Sequence, residues 1–173
     1  ATGRGLMGVP GFLHTVLEVV RILDLHQGEK LADIGCGAGL ISLTLAPWLN
    51  RIHAVDISPA LIERARMNLA GVNNVHFEVS SLTDLSLEDA CVDKLLAYSV
   101  MHYLGDIGNV SRALREVARV LKPGGRALMA AIPNVACRPN YEGLVLDRGD
   151  TKAAEADRKS TRLNSSHQII SYA

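Results

Sequence analysis

The stretch Leu31-Ala32-Asp33-Ile34-Gly35-Cys36-Gly37-Ala38-Gly39-Leu40 decides how this chain is read. Leu31–Gly35 is a short apolar run ending in glycine, the pattern of a buried strand. Leu40–Ala46 reads as a helix that Pro47 ends. Glycines between the two let the backbone turn tightly and let a ligand lie on it with no Cβ in the way. The helix start behind them offers free N–H groups and a partial positive charge, which suits a carboxylate or a phosphate. Spacing separates the options. The dinucleotide fingerprint G-x-G-x-x-G would need glycine at 35, 37 and 40. Position 40 is Leu40, and the third glycine is Gly39.

Working outward, Arg51–Asp56 reads as a second strand, and Asp56 lies 21 residues after Gly35. A carboxylate there can accept both ribose hydroxyls of an adenosine ligand, and the same chemistry serves nicotinamide cofactors. Ser58-Pro59 is an N-cap followed by proline at the first helical position, with Leu61, Ile62, Ala65 and Leu69 on one apolar face. Val75–Val79, Lys94–Tyr98 and Arg126–Ile132 are three more strands. Asp106 caps a helix with the face Val110, Leu114, Val117 and Leu121. Lys122-Pro123-Gly124-Gly125 is a type II turn signal. Upstream, residues 12–25 form an amphipathic helix facing the core with Leu13, Val16, Leu17 and Val20. Strands alternating with helices predict an α/β fold: a three-layer, Rossmann-like, mostly parallel sheet with helices on both faces.

Composition narrows the function. The chain has 173 residues, 48% hydrophobic, enough for one domain with a core. Lysine plus arginine and aspartate plus glutamate are 18 each, which leaves no basic excess for nucleic acid. No apolar stretch approaches the ~18 residues of a membrane span, and no leader pattern is visible. Three cysteines without a CxxC pair argue against a disulfide framework or a metal site and suit a reducing, cytoplasmic setting.

Four motifs carry a family resemblance, in family order over residues 31–132. Ala32-Asp33-Ile34-Gly35-Cys36-Gly37-Ala38-Gly39 resembles the first motif of class I S-adenosylmethionine-dependent methyltransferases. Val55-Asp56-Ile57-Ser58 with Leu61-Ile62-Glu63-Arg64-Ala65 resembles the second. Tyr98-Ser99-Val100-Met101-His102-Tyr103-Leu104 resembles the segment after strand four of the type 11 subgroup, and Leu121-Lys122-Pro123-Gly124-Gly125-Arg126 the turn before strand five. The resemblance implies S-adenosyl-L-methionine as cofactor. Asp33 and the backbone at Gly35, Gly37 and Gly39 would hold its methionine part. Asp56 would bind the ribose, with Ile57 against the adenine. Where the family often has an aspartate toward the adenine amino group, this chain has Ser81, then Leu82, with Asp84 nearby. Backbone near Ala97 and Tyr98 would face the cofactor's amino group. His102 is the candidate base, with a helix-packing role as the alternative. Tyr98 and Tyr103 either wall the site or pack in the core.

The resemblance marks down some acceptors. Neither the Asn/Asp-Pro-Pro-aromatic run of amino-directed enzymes nor the Pro-Cys pair of cytosine-C5 enzymes is present. A small-molecule acceptor is therefore expected, with no nucleic acid and no membrane, and with the oligomeric state open. Two rivals stand beside this reading: a Rossmann-type NAD(P)-dependent oxidoreductase, which fails on the Leu40 spacing, and a non-catalytic S-adenosylmethionine-binding module.

The end of the chain reads differently. Asp157 to Ala173 matches a conceptual translation of a sequencing adapter, so the expected domain is 1–156, with 15 basic and 17 acidic groups, net −2. The resemblance implies seven strands, the last two a closing hairpin. Only five strand signals precede the tail, and Ala136–Ala156 is expected to start a helix. An unprotected fifth strand predicts that residues 1–156 alone fold poorly.

Overall fold

The computed structural model describes residues 8–132, 142–147 and 167–171. In order, the elements are α1 (Val9–Leu23), β1 (Lys30–Ile34), α2 (Leu40–Leu45), β2 (Arg51–Asp56), α3 (Pro59–Asn68), β3 (Val75–Val79) and β4 (Val92–Tyr98). A 3-10 turn (Met101–Tyr103), α4 (Ile107–Val120), β5 (Leu121–Ile132), β6 (Glu142–Asp147) and β7 (His167–Ser171) follow. The strands form one sheet in the order β3-β2-β1-β4-β5-β6-β7. Strands β1 to β5 are mutually parallel, as the alternation of strands and helices predicts.

A parallel sheet is covered on both faces, and its central strands are apolar on both. Leu31, Leu96 and Leu128 face one core with Val16, Val19 and Leu23 of α1 and Leu45 of α2. Ala32, Leu95, Ala97 and Met129 face the other, with Ala113, Val117 and Val120 of α4. Between β3 and β4 no helix forms. Leu82, Leu85 and Leu87 of an irregular segment fill the second core instead. Arg119 of α4 holds that segment, donating to the carbonyls of Leu85 (2.9 Å) and Leu87 (2.7 Å) and to Asp89 (2.8 Å). Glu116 completes the clamp by accepting from Arg119 and from the Leu85 N–H.

Both predicted caps form. The Ser58 hydroxyl accepts from the Leu61 N–H at 3.4 Å, and the Asp106 carboxylate from the Asn109 N–H at 2.8 Å. Gly124 takes the left-handed conformation that the type II turn requires (φ 78°). Helix α1 departs from expectation. Leu13 and Leu17 are exposed, and the buried stripe is Val16, Val19 and Leu23, with Phe12 and Val20 packed beside it. Valines and leucines recur along α1 on both sides of Val16, so spacing alone fits more than one face, and contact with the sheet selects it.

The sheet edge also differs from the sequence reading. Instead of a helix beginning in Ala136–Ala156, Glu142-Gly143-Leu144-Val145-Leu146-Asp147 forms β6, antiparallel to β5. Five residues of the tail, His167–Ser171, form β7, parallel to β6, so the pair is not the expected hairpin. The unpaired backbone edge of β5 is a template for a short apolar stretch of suitable β propensity, which Leu144-Val145-Leu146 supplies, and the edge of β6 is in turn the template for Ile169-Ile170.

Candidate active site

The strand order reverses between β1 and β4, since β2 and β3 lie to one side and β5 to the other. A crevice opens at such a point, at the carboxyl ends of the strands. The glycine loop 35–39 leaves β1 there, and the turn 99–103 leaves β4.

All three loop glycines have positive φ: 69° at Gly35, 57° at Gly37 and 78° at Gly39. Their surroundings differ. A Cβ on Gly35 would lie 2.3 Å from Val100 Cγ2, and one on Gly39 would lie 2.6 Å from Leu69 Cδ1. These two are glycine because neighbouring segments pack onto them. A Cβ on Gly37 would meet nothing within 4 Å, so on that side this glycine presents bare backbone to open space. The Val55 carbonyl accepts from the N–H groups of Gly35 (2.7 Å) and Cys36 (3.0 Å), fixing the loop to β2.

Asp56 ties the next strand end to the same loop. Its Oδ2 accepts from the Gly37 N–H at 3.0 Å, and its Oδ1 from the Ser58 N–H at 2.9 Å. A carboxylate has about four lone-pair positions, so acceptor capacity remains for a ligand. Ile57, beside it, is exposed. Asp33 is buried under the loop, its Oδ2 accepting from Ser42 Oγ at 2.6 Å. Burial pushes the Asp33 carboxyl up to about 6. The Ser42 hydrogen bonds oppose the shift and the charge of Asp56 adds to it. Burial, then Asp33 and Asp56, push the Cys36 thiol far above its ordinary range, which holds it as the unreactive neutral thiol.

The side chains after β3 sort out further. Leu82 is buried in the core, so its side chain is not offered to a ligand. Ser81 Oγ is paired with Thr83 Oγ1 at 2.8 Å and accepts from the Thr83 N–H, and Ser81 bridges to Asp84, which is exposed. The neighbouring Ser80 Oγ is buried with no hydrogen-bond partner. After β4, Tyr98 is half-buried against the α1 face of the sheet. Ser99 adopts a left-handed backbone (φ 60°) while its N–H donates to the Ala130 carbonyl at 2.8 Å. Met101 is buried, whereas His102 and Tyr103 are exposed, their rings 4.0 Å apart and tilted by 42°. Core packing is therefore not the role of Tyr103, and its outward position, fixed by the buried Met101, is the reason.

Three contributors escape sequence reasoning. Ser42 and Ser80 are such residues, and Asn68 is the third, its Nδ2 donating to the Ala38 carbonyl at 2.9 Å from the end of α3. The one signal for Ser42 is a hydroxyl in an otherwise apolar helix start. Among the described residues no group of three or more His, Cys, Asp or Glu is placed to hold a metal ion. None of their helices is long and apolar enough to cross a membrane.

The family described as "Methyltransferase domain" matches residues 32–129, more than half of the chain. The chain belongs to the methyltransferase domain family. The cofactor of this methyltransferase class is S-adenosylmethionine. Among curated relatives, the ubiquinone biosynthesis O-methyltransferase of Xanthomonas oryzae is 32% identical over 111 residues, 64% of this chain and 45% of that protein. The crystal structure of N-methyltransferase NodS from Bradyrhizobium japonicum is 23% identical with a TM-score of 0.68, covering 77% of this chain and 75% of that one. Phosphoethanolamine N-methyltransferase 1 of Haemonchus contortus, in complex with phosphoethanolamine and S-adenosylhomocysteine, is 22% identical with a TM-score of 0.61, covering 66% and 24%. Both structures establish the likeness of fold. The methyltransferase chain spans half or less of the length of the first curated relatives it matches, 37%, 50% and 45%.

Proposed function

We propose that this chain binds S-adenosylmethionine and directs its methyl group to a small-molecule acceptor. One observation carries the reading: the Asp56 carboxylate accepts from the Gly37 N–H at 3.0 Å, so the glycine loop and the acid that follows it form one cradle. Gly37 offers bare backbone, the raised Asp33 carboxyl gains by meeting a cation, and Ser80 Oγ lacks a partner, so these residues fit the cofactor.

Asp33 and the loop backbone at Gly35, Gly37 and Gly39 take the methionine part. The free acceptor positions of Asp56 take the ribose, and exposed Ile57 lies against the adenine. Ser80 and Ser81 serve the adenine edge, and backbone at Tyr98 faces the amino group. When bound, the cofactor would supply an electrophilic sulfonium methyl for transfer. The residues of this chain orient the acceptor in line and exclude water. His102, exposed after β4, takes the acceptor's proton where one must leave. The net charge of −2 on residues 1–156 supports a small acceptor over a nucleic acid, and the free thiols of Cys36 and Cys91 support a cytoplasmic setting. In this reading residues 31–132 are the cofactor core of a domain within 1–156, and the tail 157–173 contributes only the edge strand His167–Ser171, outside that core.

Calorimetry with S-adenosylhomocysteine and NADH tests this. S-adenosylhomocysteine binds and NADH does not compete. Asp56→Ala weakens binding about tenfold or more, the size of a lost hydrogen bond to a charged group. Displacement by NADH, or wild-type affinity in the variant, refutes the reading.

A further inference from the structure

Ser42 is a polar side chain in an apolar setting. It stands in α2 among Leu40, Ile41, Leu43 and Leu45 and is fully buried. Burying a hydroxyl costs free energy unless it is hydrogen-bonded. Its partner is Asp33 Oδ2 at 2.6 Å, and Asp33 is itself only 2% exposed. Apolar side chains of the same shape would hold α2 on the sheet as well as this pair does, so packing alone does not explain it.

The backbone fixes Ser42 in its place. The Gly39 carbonyl accepts from the Leu43 N–H at 2.8 Å, and Gly39 lies against Leu69 and Ala65 of α3, which seats the first turn of α2. On β1, Asp33 has Ala54 and Leu96 as its strand neighbours, both fully buried. On the same side of the sheet α1 contributes Val16, Val19 and Leu23, and α3 contributes Leu69. The titratable groups beside Asp33 are Asp56 of β2, the neutral Cys36 thiol of the loop and Tyr98 of β4 in the same core. Burial and the charge of Asp56 oppose ionisation of Asp33, and Ser42 favours it. The Ser42 hydroxyl bonds to Oδ2, and a carboxylate has about four lone-pair positions, so acceptor capacity remains on Asp33.

We propose that Ser42 is a positioning residue for cofactor binding: its hydroxyl keeps the Asp33 carboxylate ionised and oriented to meet the ammonium of the cofactor's methionine part. This deepens the methyl-transfer reading and rests on it. A carboxylate is a stronger partner for an ammonium than a neutral acid is. S-adenosylhomocysteine therefore binds the wild type fully above about pH 6 and progressively more weakly below it. Loss of a hydrogen bond to a charged group raises that midpoint by about one pH unit.

Calorimetry on the whole chain between about pH 5 and pH 7.5, where the ligand's amine stays protonated, tests this. S-adenosylhomocysteine is compared with 5′-methylthioadenosine, which has the adenine, ribose and sulfur but no amino-acid part. If the wild type does not bind S-adenosylhomocysteine, the methyl-transfer reading fails and this proposal falls with it. If it binds and substitution of Ser42 changes nothing, this proposal alone fails. The expected result for Ser42→Ala is S-adenosylhomocysteine binding about fivefold weaker than wild type at pH 6, with the gap closing toward pH 7.5. Methylthioadenosine affinity stays unchanged across the range, which also reports that the variant is folded. Ser42→Cys keeps the size and supplies a weaker donor, so it moves the midpoint the same way by less, and it carries the test if the alanine variant does not fold. Equal losses for the two ligands, or an unmoved midpoint, overturn the proposal.

Discussion

Asp33 shows how one buried group links stability to the site. Its pKa in the fold, about 6, lies above the ordinary 3.8, so the folded chain holds this proton more tightly than the unfolded chain. The stability that follows is complete below about pH 3.8 and is lost as pH rises through about 6. Asp33→Asn keeps an oxygen for the Ser42 hydroxyl and removes the titration. Denaturant midpoints at pH 5 and pH 7.5 are therefore expected to fall less for the variant than for the wild type, with the variant the more stable at pH 7.5. Equal pH dependence in the two proteins would contradict the burial argument. The sequence marks Asp33 by its place before the glycines. It gives no hint that Ser42, nine positions on, is its partner.

At the scale of elements, the β3–β4 connection depends on one side chain. All five N–H bonds of the Arg119 guanidinium are directed at Glu116, Asp89 and the carbonyls of Leu85 and Leu87. Arg119→Leu leaves those part-buried carbonyls and Glu116 without a donor, and a loss of about 2 kcal/mol is expected. Hydrogen exchange across residues 82–91 should accelerate more than exchange in β1 or β4, and uniform exchange rates would argue against the clamp. In the sequence Arg119 looks no different from Arg112 or Arg115 on the same helix. Helix α1 repeats the point. Its existence is legible in the apolar spacing, but its orientation is not, because Leu13 and Leu17 fit the periodic pattern as well as Val16 and Val19 do.

For the whole molecule, the sheet edge governs solubility. β6 covers β5, and β7 covers β6. A chain ending at 156 loses β7 and leaves β6 with an open row of backbone donors and acceptors. Such a chain is expected to scatter light at high concentration and to melt at lower temperature and less sharply than the full chain. A soluble monomer with an unchanged, cooperative melt would remove β7 from the account of stability.

The amino-acid sequence by itself determined the glycine loop, the acid that follows it, the caps at Ser58 and Asp106 and the parallel core of five strands. Each of these is written in residues close together along the chain, where spacing and backbone sterics decide. Tertiary structure alone decided which face of α1 is buried, that Val100 requires a glycine at 35, that Ser42 and Asn68 brace the loop, and what pairs with the edge of β5. These depend on which surfaces meet after the chain has folded, and contacts between distant segments leave no period or spacing in the sequence to read.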